Sequence, residues 1–259
     1  MALVPGRLFQ LGTMIIFFVI IIVSLWRSKT NPPKVKTMPP LEAFKEAVGR
    51  AAELNRPVVF TPGWGGGNTQ SIGADLLAGA ELLTEVSLLA ANTGSELSVL
   101  VGNPNTIPIY EGAVRSGYTA AGHLEEYSPD IVKFSTPELY SYSAWVAGEM
   151  RRLNAGANFM IGQHWMESLI FAEAGLEIGA FQVASSAMAS QVPYFIATCD
   201  YVFIGPEIYA ASAIVSKDKV QLGSLLGQDI LTVILLGMSI IGVVLATAAI
   251  PWLMNLMKV

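Results

Sequence analysis

The chain has 259 residues, of which 53% are hydrophobic and 14% are charged, and its net charge at pH 7 is -5. This length accommodates one or two domains, and the single cysteine, Cys199, excludes an intramolecular disulfide, as suits a reducing compartment. All 20 acidic residues lie between Glu42 and Asp229, together with only nine of the 15 Lys and Arg. We expect no nucleic-acid partner for this acidic region, because phosphate contact needs a basic face.

Two uncharged apolar segments, Phe9–Trp26 and Ile230–Leu253, are each long enough to cross a membrane as a helix. A buried core helix is the alternative for both, but core helices are seldom apolar on every face over such a length. The first segment exceeds the apolar core of a signal peptide, and no small-x-small cleavage pattern follows it. We therefore interpret it as a retained anchor.

Basic residues flank the first apolar segment unevenly. Arg27, Lys29, Lys34 and Lys36 follow it, whereas only Arg7 precedes it. Lys and Arg are enriched in short cytoplasmic segments, so this asymmetry places the central region in the cytoplasm. The sequence predicts a two-span protein of the cell membrane with both termini outside.

Pro32, Pro33, Pro39 and Pro40 lie among lysines after the first anchor, and prolines at this density favour an extended spacer over a helix. The predicted organisation is an N-terminal transmembrane anchor (1–27), a Pro/Lys-rich juxtamembrane linker (28–40), a cytoplasmic α/β domain (41–229) and a C-terminal transmembrane helix (230–259).

Hydrophobic patterns in the central region alternate between strand and helix. The predicted strands are Pro57–Thr61, Leu97–Val101, Ile131–Phe134, Phe159–Ile161, Ala180–Val183 and Tyr201–Ile204. The predicted helices are Leu41–Leu54, Ile72–Ala91, Ile109–Ala120, Pro137–Leu153 and Glu167–Ala174. This alternation predicts a single Rossmann-like α/β domain with a mostly parallel sheet and helices on both faces.

The first predicted strand opens into a glycine-rich loop within Pro57–Ser71, and open α/β sheets hold ligands in such loops. No G-x-G-x-x-G spacing closes from Gly63 or from Gly65, and no Gly-Lys-Ser/Thr follows, so the loop matches no phosphate-binding fingerprint. Two interpretations remain open. The backbone amides of the loop bind a small ligand, or the loop is a tight surface loop in which Trp64 packs on a neighbour.

The loops after the first two strands form a neutral, amide-rich rim suited to a sugar, a nucleobase or a peptide group. The ligand-binding candidates are Gly63, Gly65, Gly66, Gly67, Asn68, Thr69, Asn103 and Asn105. Residues of these types are also good turn and cap formers, which is the alternative explanation. We predict no cofactor.

The two histidines are weaker candidates. Glu167 follows His164 by three residues, which on a helix makes half of a metal site or a base with an orienting carboxylate. No second His or Cys is near in sequence, and His123 has only Glu125 and Glu126 beside it. We predict no metal site and a structural or surface role for both histidines.

A strand that runs into Ser185-Ser186, followed by small residues, is loosely similar to crotonase and Clp-protease-like folds, and the resemblance implies Ser186 as a nucleophile. The glycines of those families are missing, Pro193 interrupts the following helix, and no histidine comes after the serine. A serine without a placed base is a weak nucleophile. The weak catalytic candidates are Ser186, Asp200 and Glu207.

Four stretches of the C-terminal half resemble an uncharacterised family of prokaryotic membrane-anchored proteins with a cytoplasmic α/β domain. They are Gln191–Tyr194, Cys199–Tyr201, Gly205–Ala213 and Gly223–Asp229. The resemblance implies no known activity and assigns no catalytic residue.

The leading hypothesis is a membrane-anchored binding or assembly protein, a homo-oligomeric scaffold or a subunit of a membrane complex. The unusually apolar helix 72–91, the small residues of 184–190 and 209–213, and Gly237 and Gly242 in the second anchor favour self-association. The expected partners are the lipid bilayer and further copies of the chain, which meet through the α/β domain and the membrane helices.

The alternative is a membrane-anchored enzyme, serine-hydrolase-like or small-ligand-binding, with its site at the glycine-rich loop. A transporter is least favoured, because neither span carries an intramembrane charge.

Overall fold

The structure is a computed structural model that describes residues 8–31, 38–65 and 73–247. They form two compact units, an α/β unit that ends at Ser216 and a helical unit built from residues 8–31 and 217–247. The α/β unit thus ends before Asp229, where the sequence places the domain boundary.

The α/β unit is built on a six-stranded parallel sheet, which confirms the predicted fold class. Its strands are β1 (Val58–Thr61), β2 (Leu97–Val101), β3 (Val132–Phe134), β4 (Ala157–Gly162), β5 (Phe181–Ser186) and β6 (Tyr201–Ile204). They lie in the order β3-β2-β1-β4-β5-β6. Val58 of β1 pairs with Leu97 on one side and Ala157 on the other, so the strand order reverses between β1 and β4. This is the topological switch point at which doubly wound sheets bind ligands.

The helices of both units are numbered in chain order. They are α1 (Leu8–Thr30), α2 (Pro39–Glu53), α3 (Ala74–Thr93), α4 (Ile107–Ala121), α5 (Leu139–Leu153), α6 (Glu167–Glu177), α7 (Val192–Thr198), α8 (Glu207–Ser216) and α9 (Lys219–Thr247). Helices α2, α3, α4 and α8 cover one face of the sheet, and α5, α6 and α7 cover the other. Every residue of β1, β2, β4 and β5 is buried, as expected for parallel strands between two helical layers.

Local structure explains where three of the helices begin. Helix α5 begins after Glu138, whose carboxylate accepts hydrogen bonds from the Tyr140 and Ser141 amides, so Pro137 lies outside it. Pro193 lies in the first turn of α7, where its missing N–H costs nothing, and it does not interrupt the helix. Helix α3 has Gly73 at its N-cap.

The apolar character of α3 is explained by packing within the chain. Helix α3 packs mainly on α4 and α8, and it also contacts α2 and β4. Gly117 of α4 brings the two helices together, since a Cβ at this position would lie 2.6 Å from the Ser87 Cβ. Ala211 and Ala213 of α8, which the sequence suggested for self-association, are buried in the same layer.

The helical unit pairs α1 with α9 through small residues. Ser24 and Ser28 of α1 are buried, and a Cβ on Gly223 of α9 would lie 2.7 Å from the Ser28 Cβ. Gly227 faces Ser24 one turn further on, and small residues four apart let helix backbones approach closely. Both helices are long and apolar enough to cross a membrane. A Cβ on Gly237, a predicted association residue, would meet none of the described atoms within 4 Å.

Candidate functional site

The site lies at the carboxyl ends of β1 and β4, where residues 62–65 and 163–166 leave the sheet side by side. The Gln163 amide donates to the Pro62 carbonyl at 2.8 Å, and the Gly65 amide donates to the Gln163 carbonyl at 3.4 Å. Gly63 and Gly65 have positive φ angles of 82° and 59°, which favour glycine. A Cβ on Gly63 would also lie 2.7 Å from the Gln163 carbonyl carbon, so glycine allows the two loops to touch.

Glu167 begins α6 and points its carboxylate back into the β1 loop. The side chain is 1% exposed, and its Oε1 accepts a hydrogen bond of 2.8 Å from the Trp64 amide. Its Oε2 is buried and has no partner among the described residues. Burial raises the pKa of this carboxyl, while the Trp64 amide acts in the opposite direction.

His164 is fully buried between aromatic rings. Its imidazole lies 5.4 Å from the Phe195 ring and 6.2 Å from the Phe171 ring, edge-on to both. Neither imidazole nitrogen makes a hydrogen bond of good geometry in the described part of the chain, although the Thr61 backbone interacts with the ring and opposes the effect of burial on its pKa. Burial lowers the pKa of His164 to about 3, so the ring is neutral at physiological pH. Its Nδ1 faces the β1 loop, since a Cβ on Gly63 would lie 3.0 Å from it.

Trp64 and Trp165 form an aromatic corner on this edge of the sheet. Their rings are 6.0 Å apart at 89°, and the Trp64 indole N–H donates to the Pro137 carbonyl at 2.7 Å. Trp165 is 39% exposed, so part of its ring faces outward. The predicted packing of Trp64 on a neighbour therefore occurs within this chain.

Asn103 and Asp75 complete the site from the β2 and β1 loops. The Asn103 amide group donates to the Gly65 carbonyl at 3.1 Å and its oxygen accepts from the Asn105 amide at 3.0 Å, so it fixes the backbone of both loops. Asp75 lies in the first turn of α3 and is only 7% exposed. Burial raises its pKa, although its own and the Leu76 backbone amides act against this.

The structure describes four of the eight predicted ligand-binding residues. Gly63, Gly65, Asn103 and Asn105 lie at one edge of the sheet, with Asn103 bonded to Gly65 and to Asn105. Gly66, Gly67, Asn68 and Thr69 lie outside the described residues.

Asp200 lies away from the other two catalytic candidates, whereas Ser186 pairs with Ile204, whose amide donates to Glu207. Ser186 is buried at the carboxyl end of β5, and its Oγ accepts from the Met188 amide. Asp200 lies at the opposite edge, where its carboxylate accepts from the Gln182 amide at 2.8 Å. Ser186 lies four residue steps along the strand from Gln182, about 13 Å at the rise of a strand. Glu207 is exposed and accepts from the Ile204 amide.

The second histidine lies on the surface. His123 Nδ1 is 3.3 Å from a Glu126 carboxylate oxygen and 3.9 Å from one of Glu125. All three side chains are largely exposed, and acidic groups in such turns commonly face solvent without an ion.

Sequence reasoning missed Asp75 and Trp165 as parts of the site. The available signal was indirect: Asp75 is an acidic residue at the start of a helix that is otherwise almost wholly apolar. Trp165 adjoins His164 in sequence, but only the pairing of β4 with β1 brings it to Trp64.

Residues 4–257 match the family described as a domain of unknown function (DUF6754), so the chain belongs to this family. The predicted membership of an uncharacterised family is therefore confirmed. Neither the curated proteins nor the solved structures contain a match to the chain.

Proposed function

We propose that this is a membrane-anchored protein whose α/β domain binds a small molecule at the switch point between β1 and β4. One observation carries the proposal: buried polar atoms that lack a partner are concentrated there. Of seven such side-chain atoms among the described residues, three belong to His164 and Glu167. Native proteins rarely leave such groups unpaired, and each one costs about 1–3 kcal/mol.

The surroundings of these atoms fit a binding site better than a packing layer. Phe171 and Phe195 shield His164 from solvent, whereas Trp165, the next residue in the chain, is partly exposed. Small-molecule sites combine apolar and aromatic walls with a few convergent polar groups, and they occur at the switch points of α/β sheets. A bound molecule that hydrogen-bonds to His164 and Glu167 would remove the cost of leaving them unpaired.

A thermal-shift screen of small metabolites against the full chain in detergent tests the proposal. We expect compounds that raise the melting temperature of the wild type and not that of a Trp165→Ala variant. Leu176→Ala is the control, because Leu176 is 60% exposed at the other end of α6 and should leave the response intact. A library in which no compound stabilises the wild type would contradict small-molecule binding.

The membrane anchor is the second part of the proposal. Helices α1 and α9 are apolar, paired with each other, and mostly exposed along the rest of their surfaces, for example at Phe18 and Val243. Lipid would cover these surfaces in a bilayer. The excess of Lys and Arg after α1 supports an α/β domain on the cytoplasmic side, with both termini outside.

Assembly into a homo-oligomeric scaffold remains a prediction. Two of its grounds, the apolar α3 and the small residues of α8, are explained by packing inside one chain. Exposed Ile196 on α7 and Ile204 on the edge strand β6 still leave apolar surface for a second copy. Native mass spectrometry in mild detergent tests this, and a species that is only monomeric would contradict it.

A further inference from the structure

The loops that follow the six strands carry carboxylates and no Lys or Arg. The acidic residues at this edge are Asp75, Glu138, Glu167 and Glu207. The sequences of the loops, including residues 66–72, contain no basic residue. A phosphate or another anion bound at the switch point would therefore find no countercharge in these loops.

Two of the four carboxylates are explained by local structure. Glu138 and Glu207 are exposed and accept hydrogen bonds from backbone amides at helix starts. Acidic residues at helix N-termini are stabilised by these amides and by the helix dipole. Asp75 and Glu167 are different, because they are 7% and 1% exposed, and capping does not require burial. Desolvation raises the pKa of both, and a nearby cation would offset its cost.

Two backbone amides of the described part of this edge are already occupied by carboxylates of the chain. In dinucleotide-binding sheets, amides of the first loop and of the following helix face the pyrophosphate. Here the Trp64 amide donates to Glu167 at 2.8 Å, and the Leu76 amide is 3.2 Å from Asp75 Oδ1. Carboxylates of the chain itself thus take the positions that a bound phosphate would need.

The aromatic corner of Trp64 and Trp165 supplies the complementary surface. The two indoles pack edge-to-face with their ring centres 6.0 Å apart, and Trp165 remains 39% exposed, two residues from the buried carboxylate of Glu167. Cations bind over the faces of aromatic rings, tryptophan is the best of the aromatic residues for this, and quaternary ammonium groups are recognised in this way.

We propose that the switch point binds a small alkylammonium cation, with Glu167 as the countercharge and the two tryptophans in contact with the alkyl groups. This inference rests on the proposed function and names its ligand class. The His164 Nδ1, which lies against the same loop, supplies a hydrogen bond to a hydroxyl or other polar group of the cation.

Isothermal titration of the full chain tests the charge of the ligand. The protein is kept in a polyoxyethylene detergent, which has neither a choline head group nor a sugar. Choline is compared with its uncharged carbon isostere, dimethylbutanol, and with AMP. We expect choline to bind at least about tenfold more tightly than the isostere, and AMP not to bind. Equal binding of the isostere, or binding of AMP alone, would overturn the inference.

Matched variants place the binding at the proposed residues. Glu167→Gln keeps an acceptor for the Trp64 amide and removes the charge, so choline affinity should fall by about tenfold or more. Glu138→Gln removes an exposed carboxylate at the same edge and should leave the affinity unchanged. Trp165→Ala should abolish binding, whereas Tyr140→Ala, which removes a more exposed aromatic ring, should not. Equal losses in test and control variants would contradict the assignment.

Glycerophosphocholine tests whether a phosphate-bearing head group is excluded. We expect it to bind more weakly than choline, because its phosphodiester finds no countercharge in these loops, and tighter binding would contradict the inference. If the metabolite screen finds Trp165-dependent binders that carry no positive charge, the cation inference fails and the proposed function stands. If the screen finds no binder at all, both fail.

Discussion

His164 shows at the scale of one residue how burial defines the site. A neutral imidazole with two unpartnered nitrogens is enclosed by Phe171 and Phe195. Sequence alone left His164 with a structural or surface role, because no ligand partner lay near it in the chain. The structure supplies the partner surface, since Gly63 of the β1 loop lies against its Nδ1.

The depressed pKa of His164 predicts a pH-dependent stability. Its pKa falls from 6.5 to about 3 on folding, so only the unfolded chain takes up this proton at mildly acidic pH. The contribution of the neutral, buried His164 to the free energy of unfolding is complete above pH 6.5 and is lost as the pH falls from 6.5 towards 3. Between pH 7.5 and pH 5 this group should remove about 2 kcal/mol of unfolding free energy. Chemical unfolding followed by tryptophan fluorescence at both pH values measures the loss.

The His164→Phe variant should lack this loss of stability. The chain has one other histidine, His123, which is exposed, so His123→Phe is the control for removing a surface histidine. The raised pKa of Glu167 acts in the opposite direction, because the folded protein holds that proton more tightly. Comparing variant with wild type removes this contribution. An unchanged slope in His164→Phe would show that the imidazole is not buried as the structure indicates.

At the scale of elements, each of the two units contains a close contact between helices that a glycine makes possible. In the α/β unit, Gly117 of α4 approaches Ser87 and the Thr84 carbonyl of α3. In the helical unit, Gly223 and Gly227 of α9 lie against Ser28 and Ser24 of α1. Each contact comes from two elements that are distant in sequence, which is why spacing along one helix did not reveal it.

Two alanine substitutions in α4 should have opposite effects on stability. Gly117→Ala places a Cβ 2.6 Å from Ser87 Cβ and from the Thr84 carbonyl oxygen, so we expect a loss of about 1–3 kcal/mol. Gly112→Ala meets no described atom within 4 Å and should gain about 0.5–1 kcal/mol from helix propensity. Urea unfolding of the full chain in detergent measures both. Equal effects at the two positions would contradict the packing of α3 on α4.

A corresponding pair tests the contact between α1 and α9. Gly223→Leu forces a side chain into Ser28 and the Leu25 backbone, and we expect it to lower the resistance of the protein to SDS denaturation by about 1–3 kcal/mol. Gly237→Leu adds the same side chain at an open position of the same helix and should be nearly neutral. If both variants behave like the wild type, the two helices do not pair in the way described.

At the scale of the whole molecule, the charge distribution predicts the orientation in the membrane. Cysteine labelling tests it in a Cys199→Ser background; burial already raises the pKa of Cys199 to about 12, which makes it a poor nucleophile. Leu54→Cys, at a position 58% exposed on the α/β unit, should react with a membrane-impermeant maleimide only after permeabilisation of cells. Ala2→Cys should react from outside in intact cells. The reverse pattern would place the α/β domain outside.

The sequence by itself determined the α/β class, the two long apolar helices and the limits of several strands, with β2 and β6 matching residue for residue. These features depend on local hydrophobic patterns, which the chain carries along its length. The glycine loop was recognised as a candidate site for the same reason, because it follows a buried strand directly.

Only the tertiary structure decided what surrounds that loop. The strand order places β4 beside β1, and this pairing brings Glu167, His164 and Trp165 to Trp64, about 100 residues away in sequence. Apolar periodicity specifies that a strand is buried and carries no information about its neighbour in the sheet. The neighbour also decides which groups meet there, because Glu167, at the start of the helix that follows β4, accepts the hydrogen bond of the Trp64 amide.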